Sequence, residues 1–221
     1  MIDNTFVTFK REPFFEIVRP YLAPDSKVLD IGPGTGNFPD HFGRNDFYLL
    51  EGNEETTDKL KKRFPNTVFG RLPHLPFPDA TFDVIHCSHV VEHLQQQEFY
   101  DTLKEMDRCL GNGGVLVISA PLLWEGFYND LSHVRPYNPR VYERYLCHAD
   151  DGAPTRSKIS SAYSIERIQY RYREVSPMAK LTAAAKRPFL LKLFFYTATK
   201  LRKFGLKQYE TTGYTIILKK G

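Results

Sequence analysis

The chain reads as an α/β fold, a mostly parallel sheet covered by helices on both faces. Three observations predict it. The apolar run Val28-Leu29-Asp30-Ile31 enters the glycine-rich turn Gly32-Pro33-Gly34-Thr35-Gly36-Asn37. A second apolar run, Phe47-Tyr48-Leu49-Leu50, ends in the acid Glu51, at about 20 residues beyond the first strand, the spacing expected of a ribose-binding carboxylate. Strand and helix patterns then alternate to residue 120, and Tyr214–Lys219 forms a last strand.

Taken in order, residues 11–22 read as one helix, with Phe14, Phe15, Val18, Tyr21 and Leu22 at helical spacing,. Strand one is Lys27–Ile31 and strand two is Phe47–Glu51. The helix after it has clear ends: Asn53 as cap, Glu54 and Glu55 in the first turn, Lys61-Lys62-Arg63 in the last and Pro65 beyond,. Thr67–Gly70 and Phe82–Cys87 are strands three and four. A helix from about Glu98 to Leu110 precedes Gly111-Asn112-Gly113-Gly114, read as a C-cap and turn,. Strand five is Val115–Ala120. Residues 122–137 form an aromatic-rich loop, and Asn138-Pro139 opens a helix as cap and first residue,. Residues 149–163 are polar loop, and Ile165–Tyr172 alternates as a strand does.

Composition suits one domain with a sizeable core: 221 residues, 42% hydrophobic and 25% charged,. Cys87, Cys109 and Cys147 form no C-x-x-C pair. Their spacing predicts a reducing compartment, with no disulfide frame and no zinc site. The start, Met1-Ile2-Asp3-Asn4, lacks the basic and apolar regions of a signal peptide,. No apolar run approaches the ~18 residues of a membrane span. The expected location is cytoplasmic, peripheral to a membrane at most.

The net charge of +4 is unevenly spread. Residues 176–209 carry eight basic residues and no acid, while the rest carries 22 basic and 26 acidic ones. Within this segment, wound as a helix, Leu190, Leu193, Phe194, Ala198, Leu201 and Phe204 share one face. Lys192, Thr199, Arg202 and Lys203 lie opposite. Such a helix serves as a lid packed on the domain or as a contact with an anionic membrane surface through residues 187–207. Nucleic acid is not an expected partner, because the only basic stretch is also strongly apolar.

The glycine turn carries the chemistry. Glycine tolerates positive φ and lets backbone approach a ligand closely, and the next helix aims free N–H groups at the same place. The dinucleotide fingerprint G-x-G-x-x-G would need a third glycine at position 37, which is Asn37,. The pattern is D-x-G-x-G-x-G instead. With it come Leu75-Pro76-Phe77-Pro78-Asp79-Ala80-Thr81-Phe82-Asp83-Val84-Ile85, then His89-Val90-Val91-Glu92-His93-Leu94, then Leu110-Gly111-Asn112-Gly113-Gly114-Val115. Across residues 27–121 the chain thus resembles the class I S-adenosylmethionine-dependent methyltransferases, type 11-like domain. The resemblance implies a Rossmann-like sheet of seven strands, the last antiparallel, in a single domain over 1–221. Residues 122–163 would be its acceptor side, and 176–209 a helical insertion before the last strand.

The cofactor so implied is S-adenosylmethionine, with S-adenosylhomocysteine as product. Gly32, Gly34 and Gly36 would surround its methionine part, with Asp30 ordering the loop or reaching the amino group. Glu51 would accept from the ribose hydroxyls, and the backbone of Leu72 would meet the adenine. Arg71 stands where the family commonly has an adenine-binding Asp. Ser88 and His89 would line the floor beside the sulfonium, whereas His93 reads as packing at a helix start. No metal-ligating set is expected.

Asn129-Asp130-Leu131-Ser132-His133-Val134-Arg135-Pro136-Tyr137 resembles a "DPTHVRxYT" segment in a subset of these enzymes, many of which modify sugars or glycan precursors. His133 is the candidate base, with Asp130 or Arg135 orienting it or the substrate. Equally, His133 and Arg135 would simply tie down the loop. The expected function is O-methylation of a saccharide or glycan precursor, lipid-linked ones included. The alternatives are methylation of a soluble small metabolite, and a non-catalytic S-adenosylmethionine-binding regulatory partner.

Overall fold

In the computed structural model, residues 2–148, 155–175 and 207–221 are described. The basic segment of 176–206, with its expected helix and membrane contact, lies outside them. Seven strands form one sheet: β1 (Val28–Ile31), β2 (Tyr48–Glu51), β3 (Thr67–Phe69), β4 (Phe82–Ser88), β5 (Leu110–Pro121), β6 (Tyr163–Val175) and β7 (Gln208–Lys220). The spatial order is β3-β2-β1-β4-β5-β7-β6. β1 through β5 pair in parallel, and β7 runs antiparallel to both neighbours. The helices are α1 (Glu12–Glu16), α2 (Asn37–Phe42), α3 (Glu54–Lys61), α4 (Gln96–Cys109) and α5 (Arg140–Leu146). Among the described residues, no helix is long and apolar enough to cross a membrane.

The central strands are apolar on both sides because both sides are covered. Leu29, Ile31, Ile85, Leu116 and Ile118 enter one buried cluster, with Phe99, Leu103 and Met106 of α4. Their alternate neighbours Val28, Val84, Val115 and Val117 enter the other, with Phe14, Phe15 and Phe38. This period-two split shows two faces packed at once.

A local expectation holds at the level of atoms: Asn53 caps α3 by accepting from Thr56 N at 2.9 Å. Four elements differ. α5 opens one residue later than expected: Pro139 stands in the cap position, and Asn138 Oδ1, just before it, accepts from Arg140 N at 3.0 Å. Residues 11–22 are not one helix: α1 ends at Glu16 and a 3₁₀ turn follows over Arg19–Tyr21. Pro20 has no N–H to give, and its ring would strike the carbonyl of Glu16 in a continued helix. The glycine cluster after α4 is not its C-cap: the cap is Leu110, already extended and paired with Phe82. The last strand begins at Gln208, inside the range expected for the insertion, because its long hairpin with β6 extends the pairing to Val175.

Candidate active site

The C-terminal ends of β1 and β2 lie side by side, Ile31 beside Leu50. Gly32 N donates to Leu50 O at 2.9 Å, which ties the glycine loop to the second strand. Gly32, Gly34 and Gly36 all have positive φ, at 66°, 57° and 83°. A Cβ on Gly32 would stand 2.4 Å from Val90 Cγ2, and one on Gly34 would meet nothing within 4 Å. The loop is therefore shut against residue 90 on one side and open on the other, as a cradle for a bound molecule requires. Asp30 is buried beneath it: Oδ1 lies 2.7 Å from His86 Nδ1, and Oδ2 has no hydrogen-bond partner.

Glu51 is half-buried at the end of β2, with Oε1 accepting from Asn53 N at 2.9 Å. Its carboxylate would accept from the ribose hydroxyls of a bound cofactor. Arg71 reaches back to Gly52 O at 3.4 Å, so it flanks Glu51. Leu72 packs against the core cluster. These residues fit S-adenosylmethionine: glycines where backbone must come close, a carboxylate where hydroxyls would lie, an apolar side chain beside the adenine position.

Past β4 the chain turns sharply. His89 has φ 57° and donates its N–H to Ser119 O at 2.9 Å, at the end of β5. Arg171 Nη1 lies 3.2 Å from His89 Nε2, and Glu92 Oε1 lies 3.1 Å from His89 Nδ1. A guanidinium only donates, so Nε2 accepts and the proton sits on Nδ1, facing Glu92. Burial holds His89 below the usual histidine range, against the pull of Glu92. Burial also pushes Arg171 down to about 10, with Arg11 adding to the effect and Glu92 opposing it.

The next turn, a 3₁₀ helix over Val91–His93, meets the loop after β5. Glu92 O accepts from Val134 N at 2.8 Å and Arg135 N at 3.3 Å. The His93 and His133 rings lie 5.0 Å apart. His93 Nδ1 bonds Ser132 O at 3.1 Å, and His133 Nδ1 bonds Phe127 O at 2.6 Å. The group that orients His133 is thus a backbone carbonyl, not Asp130 or Arg135. Asp130 Oδ1 instead accepts from Ser132 N and Oγ, which lowers its carboxyl pKa and shapes the loop. Arg135 lies over the Tyr137 ring at 5.6 Å. His93 also ties its 3₁₀ turn to the loop after β5 through Ser132 O and the His133 ring.

The structure therefore gathers the expected cofactor residues around one sheet edge, with Ser88 and His89 beside Val90 and the glycine loop. It adds Glu92, His93 and Arg171, which the sequence reading left out. The spacing His89-x-x-Glu92-His93 was the available signal for the first two. Arg171 comes from β6 and had none.

A class I fold with this loop and this carboxylate defines an S-adenosylmethionine-dependent methyltransferase, whose product is S-adenosylhomocysteine. Residues 10–168 match the model of the family described as "Methyltransferase domain", and the chain belongs to that family. It is 25% identical over 196 residues to the mouse eEF1A lysine and N-terminal methyltransferase, covering 85% of this chain and 25% of that one. It is 28% identical over 123 residues to the ubiquinone/menaquinone biosynthesis C-methyltransferase of Ralstonia pickettii, covering 50% of each. The chain spans between a quarter and a half of the length of such curated relatives. A crystal structure of an Archaeoglobus fulgidus S-adenosylmethionine-dependent methyltransferase superposes with a TM-score of 0.61 at 23% identity, covering 96% of this chain and 95% of that one. That likeness supports the fold.

Proposed function

We propose that this methyltransferase acts on a hydroxyl oxygen of a saccharide or glycan precursor, lipid-linked ones included. The observation that carries the reading is the state of His133. Its Nδ1 bond to Phe127 O makes Nδ1 the protonated nitrogen and leaves Nε2 with a free lone pair,. When bound, S-adenosylmethionine supplies an electrophilic methyl group on sulfur. A neutral hydroxyl attacks it poorly and must lose its proton as the new O–C bond forms and the methyl carbon–sulfur bond breaks, with S-adenosylhomocysteine as the leaving group. His133 Nε2 receives that proton. Amines that are already deprotonated need alignment more than a base, so a prepared imidazole favours an oxygen acceptor.

The cavity next to this loop supports a sugar. It has a volume of about 460 Å³ and is lined by Tyr100, Tyr137, Tyr145, Arg135 and Arg156, among others. Its size suits a small ring compound. Tyrosine faces and hydroxyls suit a pyranose, and two guanidiniums suit an attached phosphate. The backbone of Arg135 is tied to Glu92 O, so the same residue joins this cavity to the His133 loop.

The test is transfer of isotopically labelled methyl from S-adenosylmethionine into a lysate of the source organism, separated into organic, polysaccharide, small aqueous and macromolecular fractions. Label in the organic or polysaccharide fraction supports the reading. Label in the small aqueous fraction favours a soluble metabolite. Label in protein would align this chain with relatives such as the mouse enzyme. Cofactor binding with no label anywhere would favour a non-catalytic partner.

A further inference from the structure

We infer that Glu92, His93 and His133 bind one divalent transition-metal ion of the zinc type at the acceptor side of the cofactor site. One ligand atom from each of the three lies within 4.8 Å of the other two. An orphaned oxygen, the orientation of both imidazoles and the bonds that support them turn that proximity into a site.

The first is an orphaned charge. Glu92 is completely buried, and its Oε2 has no hydrogen-bond partner. A buried carboxylate oxygen without a donor is costly. The second is the state of both imidazoles. His93 and His133 each direct Nδ1 at a backbone carbonyl, of Ser132 and Phe127. A carbonyl only accepts, so each ring carries a proton on Nδ1 and offers a lone pair at Nε2. Nε2 of each ring is thereby left as the nitrogen able to ligate, with a carboxylate oxygen of Glu92 as the third donor. The third is the supporting shell. Ligand histidines commonly donate their second N–H to a carbonyl, and ligand carboxylates are themselves hydrogen-bonded. Both carbonyl bonds are present here, and His89 donates to Glu92 Oε1.

The donor set names the class of ion. Two imidazoles and one carboxylate suit zinc, cobalt or a neighbouring first-row ion and leave a coordination position open. Magnesium prefers an all-oxygen shell. The place is right for chemistry as well, because Val90, two residues before Glu92, abuts Gly32 of the cofactor loop.

The use of the ion rests on the hydroxyl-acceptor reading, although its binding does not. In an ion-loaded enzyme the Nε2 lone pair of His133 would go to the ion, so the ion, and not His133, would take on the deprotonation assigned to His133 above,. The acceptor hydroxyl takes the open position, and coordination lowers its pKa. Its O–H bond would break with the proton leaving to water, and as the oxygen bonds to the methyl carbon the carbon–sulfur bond would break, with S-adenosylhomocysteine as the leaving group.

The experiment uses the full chain, stripped with a chelator, dialysed and titrated separately with zinc chloride and magnesium chloride by calorimetry. Elemental analysis gives the stoichiometry. One zinc per chain and no magnesium binding is the expected result. His93→Ala and His133→Ala should each weaken zinc binding at least about tenfold. His74→Ala, an exposed histidine elsewhere, should not. Cobalt should give visible absorption bands that disappear in the two ligand variants. S-adenosylmethionine binding by each variant reports that it is folded. Absence of zinc binding in cofactor-competent wild type overturns the site, as does undiminished binding in the folded double variant. Full turnover of the stripped enzyme on an identified hydroxyl acceptor overturns the catalytic use and leaves the acceptor reading standing. Zinc binding as expected, with label only on nitrogen or carbon, upholds the site and overturns the acceptor reading instead.

Discussion

Asp30 Oδ1 and His86 Nδ1 meet at 2.7 Å across the β1–β4 pair, both side chains almost wholly buried. His86 stacks on Phe38 with ring centroids 3.7 Å apart. The pair therefore links the floor of the glycine loop to the first turn of α2. Replacing His86 by Ala leaves the Asp30 carboxylate buried without its partner. Loss of one member of a buried pair costs about 3–5 kcal/mol. Urea unfolding should show a loss of unfolding free energy of that size, and a loss under about 1 kcal/mol would mean that Asp30 does not depend on His86 in the fold.

The closeness of Gly32 to Val90 sets a second expectation. Gly32→Ala adds a Cβ 2.4 Å from Val90 Cγ2 at a φ of 66°. Either the loop or the 88–93 turn must move. S-adenosylmethionine affinity should fall by at least about tenfold, since strain at such a position costs roughly 1–3 kcal/mol. Pairing Gly32→Ala with Val90→Ala should recover part of that loss by relieving the contact.

Glu51 is expected to act through hydroxyls specifically. Hydrogen bonds to a charged group contribute about 1.5–3 kcal/mol, so Glu51→Ala should weaken S-adenosylmethionine binding by about 10–100-fold. The variant should no longer distinguish the cofactor from its 2′-deoxyribose analogue. Retained discrimination in calorimetry would assign the ribose to another residue.

His133→Ala should separate turnover from binding. General-base loss lowers the rate by about 10²–10⁴-fold, while cofactor affinity should stay within about threefold because His133 lies outside the glycine loop. Equal turnover of the two proteins on an identified acceptor would reduce His133 to a loop tie.

The depressed pKa of His89 makes a pH prediction. Its causes are burial first, then opposing help from Glu92, then repulsion by Arg171 and Arg11. The unfolded chain takes up this proton near pH ~6.5, before the folded one does. Its contribution to stability is therefore full above the unfolded pKa and is lost as pH falls toward the lower folded value. The thermal midpoint should drop from about pH 7.5 to about pH 5.5. His89→Asn, which tolerates the left-handed backbone, should flatten that drop. Glu16 and Glu105, both held at about 2 by arginine partners, act in a more acidic window. A drop that persists unchanged in the variant would point to another group.

The cofactor half of the site was legible in the sequence because it is local. The loop Gly32–Gly36, Glu51 and the Asn53 cap all lie within 25 residues of one another. Glycine's backbone freedom and the spacing to Glu51 mark the place, and the roles expected of these residues come from the family resemblance. The helix expected over 11–22 failed because apolar spacing outweighed Pro20 in the reading. The turn expected at 111–114 failed because Leu110 pairs with Phe82, a contact that no local pattern records.

The chain by itself determined the class of fold, the cofactor and the edge of the sheet where chemistry occurs, since each is written in short runs of residues with one physical meaning. Only the tertiary structure decided how the turn after β4 meets the loop after β5. It brought Glu92 and His93 against His133, some 40 positions away, and Arg171 of the edge strand β6 against His89. It also replaced Asp130 by the Phe127 carbonyl as the partner of His133. Such contacts depend on strand order, loop path and burial, and sequence spacing carries none of these.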